Sequence, residues 1–266
     1  MSALNRDNPV VRLRAFRAID DEPSCLLFIE GHTKVLTSIG VTKVTSSKHE
    51  WMHNPAAFVL VVESLDKKYV YGGARVNVAG GTQPLPIVEA TGLLDAKIYD
   101  IIKEYAKEGT GEICGLWNSR EIAGFGIGSI FLTRAAVAIS TQIGLKSLFA
   151  LCAPYTVSMA ELVGYEFEKS VGNDGTFYYP KLDLLATAMV LKDVSMLSKA
   201  DEENRMAIMS LRDNPDIIRK EKLRNKEIEI HYCSRIPNIE SWDLAETIEA
   251  SQIDKSINHA NTISFI

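Results

Sequence analysis

Apolar runs alternate with polar, glycine- or proline-bearing breaks along most of the chain, and the period of each run predicts its element. Val10–Phe16 predicts a short strand. Ile19–Ile39 carries Cys25, Leu26, Phe28, Ile29, Val35, Leu36 and Ile39 at mixed helical spacing and stops at Gly40, which predicts a helix. Ala57–Val62 (AFVLVV) is an unbroken apolar strand and Tyr69–Val78 (YVYGGARVNV) a second. The turn Leu65–Lys68 between them predicts a hairpin. Gly80–Pro86 is a loop. Leu93–Lys107 places Leu94, Ile98, Ile101, Ile102 and Tyr105 on one helical face before the stop at Gly109.

Glu112–Trp117 then predicts a strand, Ile127–Ile143 a long helix opened by glycines, Leu145–Ala153 a strand, and Val157–Val163 a short helix closed by Gly164. Tyr165–Val171 and Thr176–Tyr179 flank Gly-Asn-Asp-Gly, a hairpin signal, and Leu184–Leu191 is a further strand. Beyond Asp193 the chain becomes more charged. Ser198–Asn225 predicts helix interrupted at Asn214-Pro215, Glu227–Tyr232 an edge strand, and the tail after Pro237 is polar. The expected fold class is α+β (mixed α/β). Residues 1–192 form the catalytic-sized domain, and residues 193–266 form a helical and strand appendage packing on it.

Composition narrows the function classes. Of 266 residues 46% are apolar, enough for a sizeable core, and the formal net charge is −5 with a pI near 5.6. No basic cluster is present, which argues against nucleic acid as the main partner. Cys25, Cys114, Cys152 and Cys233 lie far apart, without zinc spacing or a disulfide framework, and suit a reducing compartment. Polar Asn5, Arg6, Asp7 and Arg12 leave no leader-like apolar run, and Leu182–Leu191 is too short to span a bilayer. A cytoplasmic location without a membrane span is expected.

The stretch that carries chemistry is Gly111–Phe167. Gly124, Gly126 and Gly128 open a helix directly after a strand, so backbone can approach a ligand closely and the first-turn N–H groups form an anion site suited to a pyrophosphate. A glycine-rich turn without a ligand is the plain alternative. A dinucleotide site is another, although the third glycine is not at the required spacing and no ribose-binding acid ends the next strand.

The segment Leu116–Ser129 (LWNSREIAGFGIGS) resembles the strand-to-helix segment of GNAT (N-acetyltransferase-like) acyltransferases, whose signature is Arg/Gln-x-x-Gly-x-Gly/Ala. Gly126 and Gly128 match its small positions, Ala123 stands at the Arg/Gln position, and Gly164-Tyr-Glu-Phe167 resembles the Gly-Phe that follows the fourth helix of that fold. A narrower resemblance links Gly72-Gly-Ala-Arg75-Val and Glu112-Ile-Cys-Gly115 to acyl-homoserine-lactone synthases and long-chain N-acyl amino acid synthases. Glu112 matches there, and Gly115 replaces an arginine.

The resemblance spans roughly Val10–Leu191. It implies a central mixed sheet of six to seven strands flanked by helices, with a C-terminal helical appendage. It also implies transfer of an acyl group from acetyl-CoA, acyl-CoA or an acyl-carrier protein to a small-molecule amine acceptor, without a metal. The strands Glu112–Trp117 and Leu145–Ala153 are then expected to be parallel neighbours. Leu116, Trp117, Asn118, Arg120, Gly124, Phe125, Gly126, Ile127, Gly128 and Ser129 are the implied donor-binding residues. A homodimer and a carrier protein are the candidate protein partners.

Amine acyl transfer needs a group that takes a proton. Glu112 is the first candidate and Glu63 the second; either is otherwise an ion-paired or solvated strand-end glutamate. Backbone N–H groups near Leu116–Asn118 would receive the carbonyl oxygen. Tyr155 either protonates the leaving thiolate or packs. Arg75 either meets an acceptor carboxylate bidentately or stays a strand-end surface group.

His49-Glu50-Trp51-Met52-His53 also fits the zinc-peptidase pattern H-E-x-x-H. Its neighbours Thr45-Ser46-Ser47 and Asn54-Pro55 do not support the helix that pattern needs. A zinc peptidase and a non-catalytic thioester-binding module are therefore the alternatives to an acyltransferase. His32, His231 and His259 show no ligand spacing.

Overall fold

A computed structural model describes residues 8–41, 44 and 48–249. Thr45-Ser46-Ser47 and the tail carrying His259 lie outside the described residues. In chain order the elements are β1 (Val10–Arg17), α1 (Glu22–Ser38), β2 (Ala57–Glu63), β3 (Val70–Val78), α2 (Pro86–Thr91), α3 (Lys97–Ala106), β4 (Thr110–Asn118), α4 (Leu132–Ile143), β5 (Ser147–Cys152), α5 (Pro154–Leu162), β6 (Glu166–Phe167), β7 (Thr176–Tyr178), β8 (Leu185–Leu191), α6 (Glu202–Asp213), β9 (Asp216–Leu223) and β10 (Lys226–Cys233).

The described strands form one mixed sheet in the order β6-β8-β5-β4-β3-β2-β1-β10-β9, with β7 also pairing β8. β4 and β5 are parallel neighbours, as are β1 and β10; the other pairs are antiparallel. The class is the mixed α/β fold expected, but the sheet has ten strands rather than six to seven. The surplus is largely C-terminal. Residues 216–223, expected as helix, alternate half-buried Ile217, Arg219, Glu221 and Leu223 with exposed partners, the period of a strand. The β9–β10 hairpin then joins the sheet beside β1, so β10 lies inside it and β9 forms the edge.

Alternation assigns each strand two faces. Val11, Leu13, Phe58, Leu60, Val62, Ala74, Val76, Ile113 and Leu148 meet α4 on one side, in the larger core, where Ile208 and Leu211 of α6 also pack. Phe16, Val59 and Val61 meet Phe28 and Cys25 of α1 on the other side, and Phe149 and Val190 meet Ile98 and Ile102 of α3 there. The helices α3 and α4 therefore cover opposite faces. Asp21 starts α1 by accepting from the Ser24 N–H at 3.1 Å, and Asp201 starts α6 by accepting from Asn204 at 2.7 Å.

Three local expectations change. Leu93 and Leu94 are exposed, and α3 begins only at Lys97, where Asp95 receives its N–H. Gly172–Gly175 does not join two paired strands: β6 and β7 each pair β8 instead. The helix expected from Ile127 begins with a π-helical turn over Ile127–Phe131 before α4 proper. None of the helices among the described residues is long and apolar enough to cross a membrane.

Candidate active site

The site is built where β4 and β5 part. Their ladder holds only for Thr110–Glu112 against Ser147–Phe149. Beyond it β4 stays with β3 up to Asn118 and β5 stays with β8 up to Cys152. The cause lies in β4. Gly115 takes φ +58°, and the β3–β4 register shifts between Gly73 and Arg75, a bulge that bends the strand. The extra residue also inverts the alternation, so Glu112 and Cys114 before it face the same side of the sheet as Trp117 after it.

The parted strands leave a cavity of about 730 Å³ with a largely apolar wall. Val35 and Leu36 of α1, Ile39 just after it, and Met159 and Ala160 of α5 with Tyr165 are among its lining residues. That size is in the range of small-molecule and cofactor sites. Glu112 stands in the wall, buried, with its Oε2 accepting the Ile87 N–H at 2.7 Å, close to the start of α2. Burial pushes its carboxyl up to about 8, against the opposing pull of the Ile87 N–H and Arg75. A carboxyl held there changes protonation near neutral pH, as a proton-transfer group must.

Two neutral neighbours complete this wall. His32 stacks on Trp117 at 6.4 Å, and burial, with Arg75 adding to it, pushes its imidazole down to about 4. Burial pushes the Cys114 thiol up to about 12. Neither carries charge near neutral pH, whereas the Glu112 carboxyl beside them changes protonation there.

The expected donor residues divide. Leu116, Trp117, Asn118 and Gly128 line the cavity. Gly128 has no room for a side chain, since a Cβ there would fall 1.8 Å from Asn118 Oδ1. Phe125 and Ile127 are buried in the larger core, and Gly126, at φ +85°, packs under the Phe131 ring. Ser129 follows in the π-helical turn. Gly124, at φ +83°, is exposed and adjoins Lys226 of β10, whose ammonium donates to the Ala123 carbonyl at 3.3 Å and lies 4.7 Å from the Phe125 ring centre. The chain thus sets a lysine from a distant hairpin beside the position where the acyltransferase signature has Arg or Gln. Arg120 is exposed in a 3-10 turn and lines a separate groove beside α1.

The other candidates are scattered. Glu63 is buried and accepts from Arg12 and Arg14, both at 2.9 Å, away from the cavity wall. Arg75 is not a surface group: it is buried in mid-strand with its guanidinium 4.3 Å from the Trp51 ring centre, on the same side of the sheet as Glu112. Tyr155 is 81% exposed and lines the cavity. In the H-E-x-x-H stretch a 3-10 turn buries Trp51 and Met52 and leaves His49 and His53 exposed. Among the described residues no group of three His, Cys, Asp or Glu is placed to hold a metal. Tyr165 and Lys226 were not legible as site residues: one is hidden in a strand-entry motif, the other lies 103 residues downstream of Ala123, whose carbonyl it reaches.

No family model and no curated protein matches the chain. Solved structures do. FeeM, an N-acyl amino acid synthase from uncultured soil microbes, is similar with a TM-score of 0.51 at 16% identity, covering 71% of this chain and 94% of that one. A CoA-dependent acyl-homoserine lactone synthase, BjaI, with SAM and isopentyl-CoA, is similar with a TM-score of 0.47 at 11% identity, covering 80% and 95%. The likeness to FeeM shows the fold alone: the chain has a GNAT-like fold.

Proposed function

We propose that the protein is an N-acyltransferase that moves an acyl group from a CoA or carrier-protein thioester to an amine. The observation that carries this reading is the parting of β4 from β5, which opens an apolar cavity with the buried carboxyl of Glu112 in its wall. The thioester lies in the gap, its acyl chain against Val35, Leu36 and Ile39, and its phosphate-bearing arm toward Gly128 and the glycine turn. Apolar walls suit an acyl chain because each buried methylene contributes about 0.8 kcal/mol.

Glu112 takes the amine proton as the nitrogen attacks the carbonyl carbon. The unpaired edge of β4 beyond Glu112 offers N–H groups to the oxyanion. As the carbon–sulfur bond breaks, the proton passes from Glu112 to the departing thiolate, which leaves an amide and a free thiol. The proposed setting is cytoplasmic, with a small amine acceptor, and with a carrier protein or a second copy of the chain as protein partners. Calorimetry with decanoyl-CoA tests the donor half: binding in the micromolar range supports it, and no binding at millimolar concentration removes it.

A further inference from the structure

The phenol of Tyr165 is a buried group that the scheme above leaves unused. Tyr165 follows α5, is only 4% exposed, packs in the larger core and lines the cavity. Its hydroxyl has no hydrogen-bond partner among the described residues. Buried hydroxyls are rarely left so, because an unmade hydrogen bond costs the full desolvation of the group. Glu112 and Tyr165 both line the cavity that opens where β4 and β5 part, so a thioester lying in it runs past both.

From this geometry, and resting on the acyl-transfer reading, we propose that Tyr165 is a catalytic residue whose hydroxyl donates a hydrogen bond to the thioester carbonyl oxygen. The amine electrons form the new carbon–nitrogen bond, and the carbonyl pair moves onto the oxygen that Tyr165 holds. Glu112 takes the amine proton and returns it to sulfur when the carbon–sulfur bond breaks, so Tyr165 keeps its own proton throughout. That assignment suits the group: burial, then Cys152 and Glu112, push its pKa well above the ordinary 10, which makes it a donor that does not ionise. Sulfur needs a proton delivered, whereas the carbonyl oxygen needs only a donor.

The test is Tyr165→Phe, which keeps the ring in the core. Decanoyl-CoA is the donor probe, with a mixture of L-amino acids as acceptors and thiol release as the rate. The expected result is unchanged melting and decanoyl-CoA binding, thiol release slower by at least about tenfold, and a higher infrared stretching frequency of the bound, isotope-labelled thioester carbonyl. The infrared measurement reads the hydrogen bond without any acceptor. An unchanged carbonyl frequency and rate in a variant that still binds overturn the assignment. So does a variant that melts lower and loses binding, which makes Tyr165 a packing residue. Failure of the wild type to bind decanoyl-CoA at all overturns the acyl-transfer reading itself and is recognisable as such.

Discussion

The backbone N–H of Ile87 donates to the buried carboxyl of Glu112 at 2.7 Å, tying the start of α2 to the cavity wall. Burial of that carboxyl outweighs this bond, so Glu112 holds its proton up to a pH of about 8.

Two consequences of that protonation are measurable. As a base, Glu112 works only when ionised, so kcat/KM for acyl transfer rises with pH and levels off above about 8. Glu112→Gln lowers it by roughly 100-fold or more. Stability runs the opposite way. The unfolded chain releases this proton near the ordinary carboxylate value, so the folded state binds more protons in between. Stability therefore falls as pH rises from about 4.5 to about 8 and then levels. Thermal melts across that window show a shallower decline for Glu112→Gln.

Glu63 sits outside the cavity wall, held by Arg12 and Arg14. Glu63→Ala takes the carboxylate from Arg12, while Arg14 keeps Asp21 and Ser24, and costs about 3 kcal/mol of stability by urea unfolding. The folded fraction of that variant keeps its decanoyl-CoA affinity, since Glu63 does not line the cavity.

Lys226 reaches the glycine turn from β10, and its exposure makes it a clean probe of a phosphate there. Lys226→Ala weakens CoA binding about threefold, on the order of 0.7 kcal/mol, without changing the melt. Substitution inside the turn is less informative. A Cβ at Gly126 would meet the Phe131 ring at 2.5 Å in a left-handed backbone, so Gly126→Val disturbs the core as well as the ligand.

Leu36 stands half-buried in the cavity wall, at the end proposed to hold the acyl chain. Leu36→Trp fills that end, so decanoyl-CoA loses at least about tenfold in affinity, about 1.4 kcal/mol, while butanoyl-CoA binds as before. Equal losses for both donors would place the acyl chain elsewhere.

Much of the fold follows from local pattern. AFVLVV at Ala57–Val62 and SLFALC at Ser147–Cys152 read as strands because a strand covered on both faces needs apolar residues at every position. Gly109 and Gly144 end their helices because only glycine takes the left-handed backbone there without cost. The β9 segment was not readable as strand, since its alternation of Ile, Arg, Glu and Leu with Lys is weak and its helical propensity strong. Pairing with β10, itself paired to β1, overrides that propensity.

What the sequence by itself determined is the order of the strands and helices around the glycine turn and the presence of an acid at position 112, because these depend on residues close together in the chain. Only the tertiary structure decided which glutamate lines the cavity. Glu63 and Glu112 both end apolar runs or begin them, yet one meets two arginines from β1 and the other a desolvated wall and a single backbone N–H. It likewise decided that Arg75 lies under Trp51, that Lys226 returns to the turn at Gly124, and that the Tyr165 hydroxyl stays unpaired. Charge state and hydrogen-bond satisfaction depend on what surrounds a group in space, and those surroundings come from segments far apart in the chain.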